Sequence, residues 1–302
     1  MNGVDASSSS PASAFYAQAG AVTRMARWGL GASQRFWPAL AVRAATRLFC
    51  TPLPPRRLQR HQWPQAGWRR VHWPFEDGSL VVYIPEAGDA QAPAVLLAHG
   101  WGGHAGQMLP LAARLAAAGM APVLLDLPAH GRSTGRTSNL PQFGRAIGYA
   151  AARLEAERGA ALRAVLAHSL GANAAAWAAA RGLPTGRLVL LAPPASPRDY
   201  TRYFAQAFAL SERTRAGLQD VVEGREGVLM SQFEPRAVGP RVAQPTLVVH
   251  DRDDRVNAFA DGLAFAGAIA GARMHETRGL GHRRMLRDGP VLEAVVRFVA
   301  AV

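Results

Sequence analysis

The chain has no lysine: all 34 of its basic residues are arginine. It has a single cysteine, Cys50, so no intramolecular disulfide can form and no cysteine-based zinc cluster is available. Acidic residues are missing from one whole region, since Ala6 to Phe75 holds ten Arg and no Asp or Glu. No apolar run approaches the roughly 18 residues needed to span a bilayer, because Arg24, Arg27, Arg35, Arg43 and Arg47 interrupt the best candidate stretch. A secretory signal is not expected either, as Met1 to Ala14 is rich in Ser and Ala and carries no Arg. The expected location is cytoplasmic. The Arg-rich opening shares its composition with organellar transit peptides, but that composition is not specific.

What is present is a globular composition: 49% hydrophobic and 18% charged residues, with 30 Gly and 21 Pro to punctuate turns. At 302 residues the chain is long enough for one large α/β core with an appendage. The formal charge of +13 is unevenly placed, because residues 76–302 carry 24 Arg against 20 acids. Two readings of the basic opening stand. Residues 13–50 rest peripherally on an anionic membrane surface, or they form helices with a solvated Arg face, packed on the body near a cap. Nucleic acid is not expected as a partner.

Residues 1–12 read as disordered, and 13–50 as two amphipathic helices in which Phe36, Leu40, Ala44 and Leu48 form an apolar stripe. Pro38 suits a first helical turn. Thr51 to Pro64 reads as a linker. Beyond Gly67, short β-branched runs alternate with Ala-rich helical segments. Strands are expected at Arg70 to Phe75, Leu80 to Ile84, Ala94 to Ala98, Ala121 to Leu125, Ala164 to Ala167, Leu188 to Leu191, Thr246 to His250 and Ala272 to Glu276. The first two form a hairpin, and helix-length spacers between the others predict a parallel sheet with crossovers. Helices are expected at Gly106 to Ala118, Leu140 to Arg158, Leu170 to Arg181, Ala258 to Ala270 and Pro290 to Ala300. An excursion between Pro193 and Val242, with helical pieces Tyr203 to Phe208 and Ser211 to Val222, is a cap candidate. The expected division is an extension and linker over 1–66 and an α/β domain over 67–302, with the cap insertion at 193–242.

Ala167-His168-Ser169-Leu170-Gly171 follows an apolar strand and opens an Ala-rich helix. A serine on such a tight turn has its Oγ projected above the sheet and the next amide aimed at the same point. The pattern is G-x-S-x-G with Ala in place of the first Gly; taken alone, it leaves an ordinary helix N-cap as the lesser alternative for Ser169. His99-Gly100-Trp101-Gly102-Gly103 follows the third strand, and its glycines permit a backbone that bends into a site. Acyl transfer needs two N–H donors for the oxyanion, which the Trp101 and Leu170 amides would supply. In His250-Asp251-Arg252-Asp253-Asp254, after the seventh strand, Asp254 is chosen as the carboxylate by its position; Asp251 and Asp253 read as turn residues, with Asp199 a distant alternative. Gly279-Leu280-Gly281-His282 follows the eighth strand and completes the order Ser, Asp, His; His250 and His275 compete with His282.

These segments resemble the α/β-hydrolase superfamily, particularly its lysophospholipase-like and serine-aminopeptidase-like esterase branch, over residues 70–302. The resemblance implies the α/β-hydrolase fold: a mostly parallel eight-stranded sheet flanked by helices, with a small helical cap and, here, an N-terminal helical extension that matches no part of the family pattern. It implies Ser169 as nucleophile, His282 as base, Asp254 as the acid that orients it, and Trp101 with Leu170 as oxyanion donors. Asp126 and His130, in Asp126-Leu127-Pro128-Ala129-His130-Gly131, resemble a structural turn of that superfamily. The expected reaction is hydrolysis of a small-molecule carboxylic ester or thioester. An acyltransferase, or a non-catalytic scaffold acting through its basic arm, is the alternative. A serine at 169 argues against dehalogenase and epoxide-hydrolase chemistry, which uses a carboxylate nucleophile on this fold. No cofactor and no metal are expected, since the dinucleotide and P-loop glycine spacings are missing and His99, His104 and His130 are joined by no carboxylate pattern.

Overall fold

Eight strands form one sheet in the order β1-β2-β4-β3-β5-β6-β7-β8: β1 Trp68–Phe75, β2 Gly78–Pro85, β3 Ala94–Ala98, β4 Ala121–Asp126, β5 Ala164–His168, β6 Leu188–Leu191, β7 Thr246–Asp251 and β8 Arg273–Thr277. The computed structural model describes residues 20–52, 66–89 and 91–301. The expected disordered opening, and the expected linker beyond Pro52, lie outside them. Only β1 with β2 and β2 with β4 run antiparallel; every other pairing is parallel. The β1–β2 hairpin closes through Glu76 and Asp77, with Glu76 at φ 48°, so that Phe75 pairs with Gly78.

Among the described residues the helices longer than one turn are α1 Gly20–Phe36, α2 Pro38–Phe49, α3 Leu109–Ala117, α4 Leu140–Arg158, α5 Leu170–Ala179, α6 Pro197–Phe208, α7 Glu212–Glu226, α8 Phe259–Ala268 and α9 Gly289–Ala300. Every residue of β3, β5, β6 and β7 is buried, which is why these strands read as unbroken apolar runs rather than alternating ones. Their side chains divide by the two-residue period of a strand. Leu96, Ala98, Val165 and Ala167 face Phe143 and Ile147 of α4, Ala172 and Ala175 of α5 and Phe265 of α8. Val95, Leu97, Ala164 and Leu166 face Leu111 and Leu115 of α3 and Val291, Val295 and Phe298 of α9.

Several expected boundaries shift: the second helical piece of the insertion runs to Glu226 rather than Val222, β1 and β2 each begin two residues early, and three further shifts have a local cause. The segment expected as a helix from Gly106 opens with a 3₁₀ turn at Ala105–Met108, and Pro110 starts the α-helix proper at its first turn. The helix after Ser169 stops at Ala179 rather than Arg181, where the chain turns toward Gly182 at φ 86°. The first helical piece of the insertion begins at Pro197 rather than Tyr203, because Pro is favoured at a helix start.

The described residues divide into two compact units, those of 1–49 with 198–227 and those of 50–197 with 228–302. The first is helical. Leu30 of α1 and Ala45 of α2 pack with Phe204 and Phe208 of α6 and Leu218 of α7, and the Phe49 ring meets Phe204 edge-on at 5.3 Å. Gln34 ties α1 to the α6–α7 turn, donating from Nε2 to the Ala209 carbonyl at 3.1 Å and accepting the Ser211 amide at 2.5 Å. The second unit holds the sheet, and residues 228–242 belong to it: Phe233, Val238 and Val242 join the core beside α5 and α8.

Candidate active site

The chain leaves β3 toward β4 and returns to β5 on the other side, so the loops after β3 and β5 part at the carboxyl ends of adjacent strands. In open α/β sheets that divergence leaves a crevice where ligands bind. Ser169 stands at the end of β5 with φ 55° and ψ −127°, a conformation that costs a non-glycine residue about 1–3 kcal/mol. Its amide donates to the Leu191 carbonyl at 2.8 Å, which holds the turn against β6. Two glycines make room for it. A Cβ at Gly171 would stand 2.2 Å from the His99 carbonyl oxygen, and one at Gly100 would stand 2.7 Å from Cβ of Ser169. The β3 loop and the Ser169 turn therefore touch through backbone where any larger residue would separate them.

Two histidines fasten the β3 loop. His99 Nε2 accepts the Leu127 amide at 3.1 Å, so its proton lies on Nδ1, which donates to the Gly100 carbonyl at 2.7 Å. Complete burial, then the neighbouring His130, hold the His99 pKa well below the usual histidine value. His130 Nε2 accepts the Gly102 amide at 2.9 Å and its Nδ1–H donates to the Pro128 carbonyl at 2.9 Å. Asp126 accepts the Ala105 amide at 2.7 Å, the Arg132 amide at 2.9 Å and the Tyr83 hydroxyl at 3.1 Å. Asp126 and His130 thus have the structural surroundings anticipated for them. The Trp101 and Leu170 amides follow β3 and open α5 respectively, and neither has a hydrogen-bond acceptor among the described residues.

Asp254 and His282 meet: Oδ2 accepts from His282 Nδ1 at 2.7 Å, with the carboxylate side chain fully buried and the imidazole 11% exposed. Asp254 Oδ1 accepts the Val256 amide at 2.8 Å and the Asn257 amide at 3.1 Å. Burial acts to raise the Asp254 pKa, but hydrogen bonds from His250 and His282 outweigh it and hold the carboxyl well below its usual range. Nδ1 of His282 being engaged, Nε2 remains to take a proton. Among the described residues Ser169 Oγ is not hydrogen-bonded to His282; it lies 3.5 Å from Nδ2 of Asn257. The competing groups are differently occupied. His250 is buried, with Nε2 3.1 Å from the Asn257 carbonyl oxygen and 3.5 Å from Asp254, His275 lies within β8, and Asp199 pairs with Arg202 inside α6 at 2.8 Å.

Four residues, Asp251, Asp253, Asn257 and His168, matter more than their sequence context suggested. Asp251, expected only to shape its own turn, accepts four hydrogen bonds: the Gly281 and Asp253 amides on Oδ1, each at 2.9 Å, and on Oδ2 the Leu280 amide at 3.0 Å and the Thr277 hydroxyl at 2.7 Å. Burial works against its charge, yet these donors lower its pKa. Asp253 Oδ2 adds the Gly279 amide at 2.8 Å, so the loop that carries His282 hangs on the end of β7. Asn257 is buried and donates from Nδ2 to the Ala192 carbonyl at 2.6 Å beside Ser169. His168 donates from Nε2 to the His282 carbonyl at 2.9 Å; burial, then the nearby His282, lower its pKa to about 3. The run of Asp residues was the one local signal, and it did not say which carboxylate bonds to which loop.

The strand order, the parallel core with its antiparallel leading edge and the Ser169 turn at the end of β5 define the α/β-hydrolase fold. Within it, the family model for serine aminopeptidase S33 matches residues 89–223, a stretch that includes Ser169 and ends before Asp254 and His282. Solved structures share the architecture. A hydrolase from Pseudomonas aeruginosa PA01 aligns with 24% identity and a TM-score of 0.60, covering 78% of this chain and all of that one. An esterase from Rhodococcus sp. ECU1013 aligns with 17% identity and a TM-score of 0.57 over 78% of this chain and 99% of its own. An esterase from Pyrococcus furiosus aligns with 18% identity and a TM-score of 0.58 over 77% and 91%. No curated protein matches the chain in sequence.

Proposed function

We propose that this protein is a serine hydrolase that cleaves a small-molecule carboxylic ester or thioester through an acyl-enzyme on Ser169. The observation that carries the reading is the buried Asp254–His282 pair, 2.7 Å between Oδ2 and Nδ1, in the same unit as a serine held at positive φ. In this mechanism His282 Nε2 takes the Ser169 hydroxyl proton as Oγ bonds to the acyl carbon, and Asp254 stabilises the imidazolium. The carbonyl oxygen becomes an oxyanion, for which the Trp101 and Leu170 amides are the donors. Collapse breaks the bond to the leaving alcohol or thiol, which departs with the proton from His282. Water, giving its proton to His282, then attacks the acyl-enzyme; the serine oxygen leaves with that proton and the acid is released. Residues 67–302 are the catalytic domain in this reading, with 193–242 its cap insertion and 1–66 an extension. A fluorophosphonate probe should label the parent chain, and Ser169→Ala should lose both labelling and ester hydrolysis. Labelling that persists in Ser169→Ala, or a parent chain that hydrolyses no ester across a panel graded by acyl length, would overturn the proposal.

A further inference from the structure

The helical unit has two unlike halves. Residues 197–226 carry five Arg and five acids, and the pairs Asp199–Arg202, Glu212–Arg215 and Arg225–Glu226 make that half an ordinary solvated surface. Residues 20–49 carry five Arg and no acid. Arg27, Arg35 and Arg43 are exposed and have no carboxylate partner among the described residues.

The same half exposes its largest apolar side chains. Helix α1 turns Leu30, Ser33 and Gln34 inward, while Met25, Trp28 and Phe36, spaced three and eight residues apart and thus on one helical face, point to solvent. Trp28 is 84% exposed. Helix α2 buries Ala41 and Ala45 and exposes Leu40; Trp37, at the junction, is exposed with its ring 5.9 Å from that of Phe36. Among the described residues, five of the eight large hydrophobic residues that stand exposed fall between Met25 and Leu40. The stripe begun by Phe36 and Leu40 is therefore not the face that packs. Leu30, Leu48 and Phe49 pack, yet two Trp, a Phe, a Met and a Leu are left outside while Ala41 and Ala45 are buried, the reverse of what burial in water favours for those large side chains.

We infer that the face of α1 and α2 bearing Trp28, Phe36, Trp37 and Leu40 docks on an anionic phospholipid surface. Tryptophan and phenylalanine beside arginine, with no carboxylate among them, suit a helix lying in the headgroup layer: the rings enter the acyl boundary and the guanidinium groups pair with phosphates. The helices lie on the bilayer rather than through it, since no described helix is long and apolar enough to cross one. Aliphatic Met25 and Leu40 favour hydrocarbon over nucleic acid, which needs stacking planes. The inference does not rest on the Ser169 chemistry.

Flotation of the full chain with phosphatidylglycerol vesicles and with phosphatidylcholine vesicles, at low and raised salt, tests it. Binding to the anionic vesicles that weakens with salt is expected. Each basic residue near such a surface contributes about a fivefold factor, so replacing Arg27, Arg35 and Arg43 by Gln should lower partitioning on the order of a hundredfold. Trp28→Ser with Trp37→Ser should lower it as well, with an unchanged circular dichroism spectrum because both rings are exposed; Ser169→Ala should bind like the parent. No flotation with anionic vesicles at low salt would overturn the inference, as would undiminished binding by the double Trp variant. So would retardation of an oligonucleotide, or a dimer dissolved by the double Trp variant, if seen in place of vesicle binding.

Discussion

Replacing Asp251 by Asn changes one oxygen for an amide at a site where four donors converge on two oxygens. The carboxylate is fully buried. If the amide group faced the Gly281 and Asp253 donors, two backbone N–H groups would meet an N–H. The better orientation keeps Oδ1 and turns the NH₂ toward Thr277 and Leu280; the Thr277 hydroxyl can rotate to accept, but the Leu280 amide loses its partner. One unsatisfied backbone donor costs about 1–3 kcal/mol, and loss of charge weakens the three surviving bonds by roughly another 1 kcal/mol in sum. A total of about 2–4 kcal/mol should lower Tm by about 4–8 °C for a chain of this size. Because the loosened loop carries His282, ester hydrolysis should fall by roughly 10- to 100-fold, mainly in kcat, as expected when a reacting group is displaced by a fraction of an ångström. Thermal unfolding followed by circular dichroism, with kcat and KM measured in parallel, supplies both readouts. A variant within about 1 °C of the parent Tm would refute the hydrogen-bond reasoning. An unmoved kcat at a lowered Tm would refute the link from Asp251 to His282.

Two glycine substitutions should move stability in opposite directions. Gly171→Ala sets a Cβ 2.2 Å from the His99 carbonyl and should destabilise by about 1–3 kcal/mol, whereas Gly148→Ala, with nothing within 4 Å in the middle of α4, should stabilise by about 0.5–1 kcal/mol; chemical denaturation that gave both the same sign would refute the packing argument. His168 should make stability fall below neutral pH. Its folded pKa of about 3 lies below the unfolded value near 6.5, so the unfolded state takes the proton first, and stability drops by about 1.4 kcal/mol per pH unit from about 6.5 toward 3. His99, also depressed, acts in the same direction. His168→Gln should therefore remove only its own share, about 2 kcal/mol between pH 6.5 and 5; a denaturation series in which parent and variant keep parallel slopes would refute it.

Much of the fold was legible because its signals are local. Buried parallel strands are unbroken apolar runs, and Ala121, Ala164, Leu188 and Thr246 open strands where those runs begin. Helix α4 spans Leu140–Arg158 as expected, and the structure shows its ends fixed locally: the Asn139 side chain accepts the Gln142 amide, and Gly159 follows in the left-handed conformation. The Ser169 turn was equally local, since it needs only a strand, a serine and small neighbours to pass close to β3.

Contacts between distant segments were decided only by the tertiary structure. A row of three acids at 251, 253 and 254 has no internal mark that separates the partner of His282 from the residue that anchors its loop. Parallel registry of β7 with β8, Asp251 opposite Thr277, gives Asp251 the loop amides and leaves Asp254 to reach the imidazole. Asn257 carried no motif, and its place beside Ser169 follows from strands about 80 residues apart in the chain meeting in one sheet. The amphipathic pattern of residues 20–49 likewise specified helices without specifying the face that packs. Phe204, Phe208 and Leu218 supply a bulky surface that accepts small Ala45 at close range, and that choice leaves Trp28, Phe36 and Leu40 outside. Periodicity is a property of a segment alone, whereas burial depends on which other segment arrives to cover it.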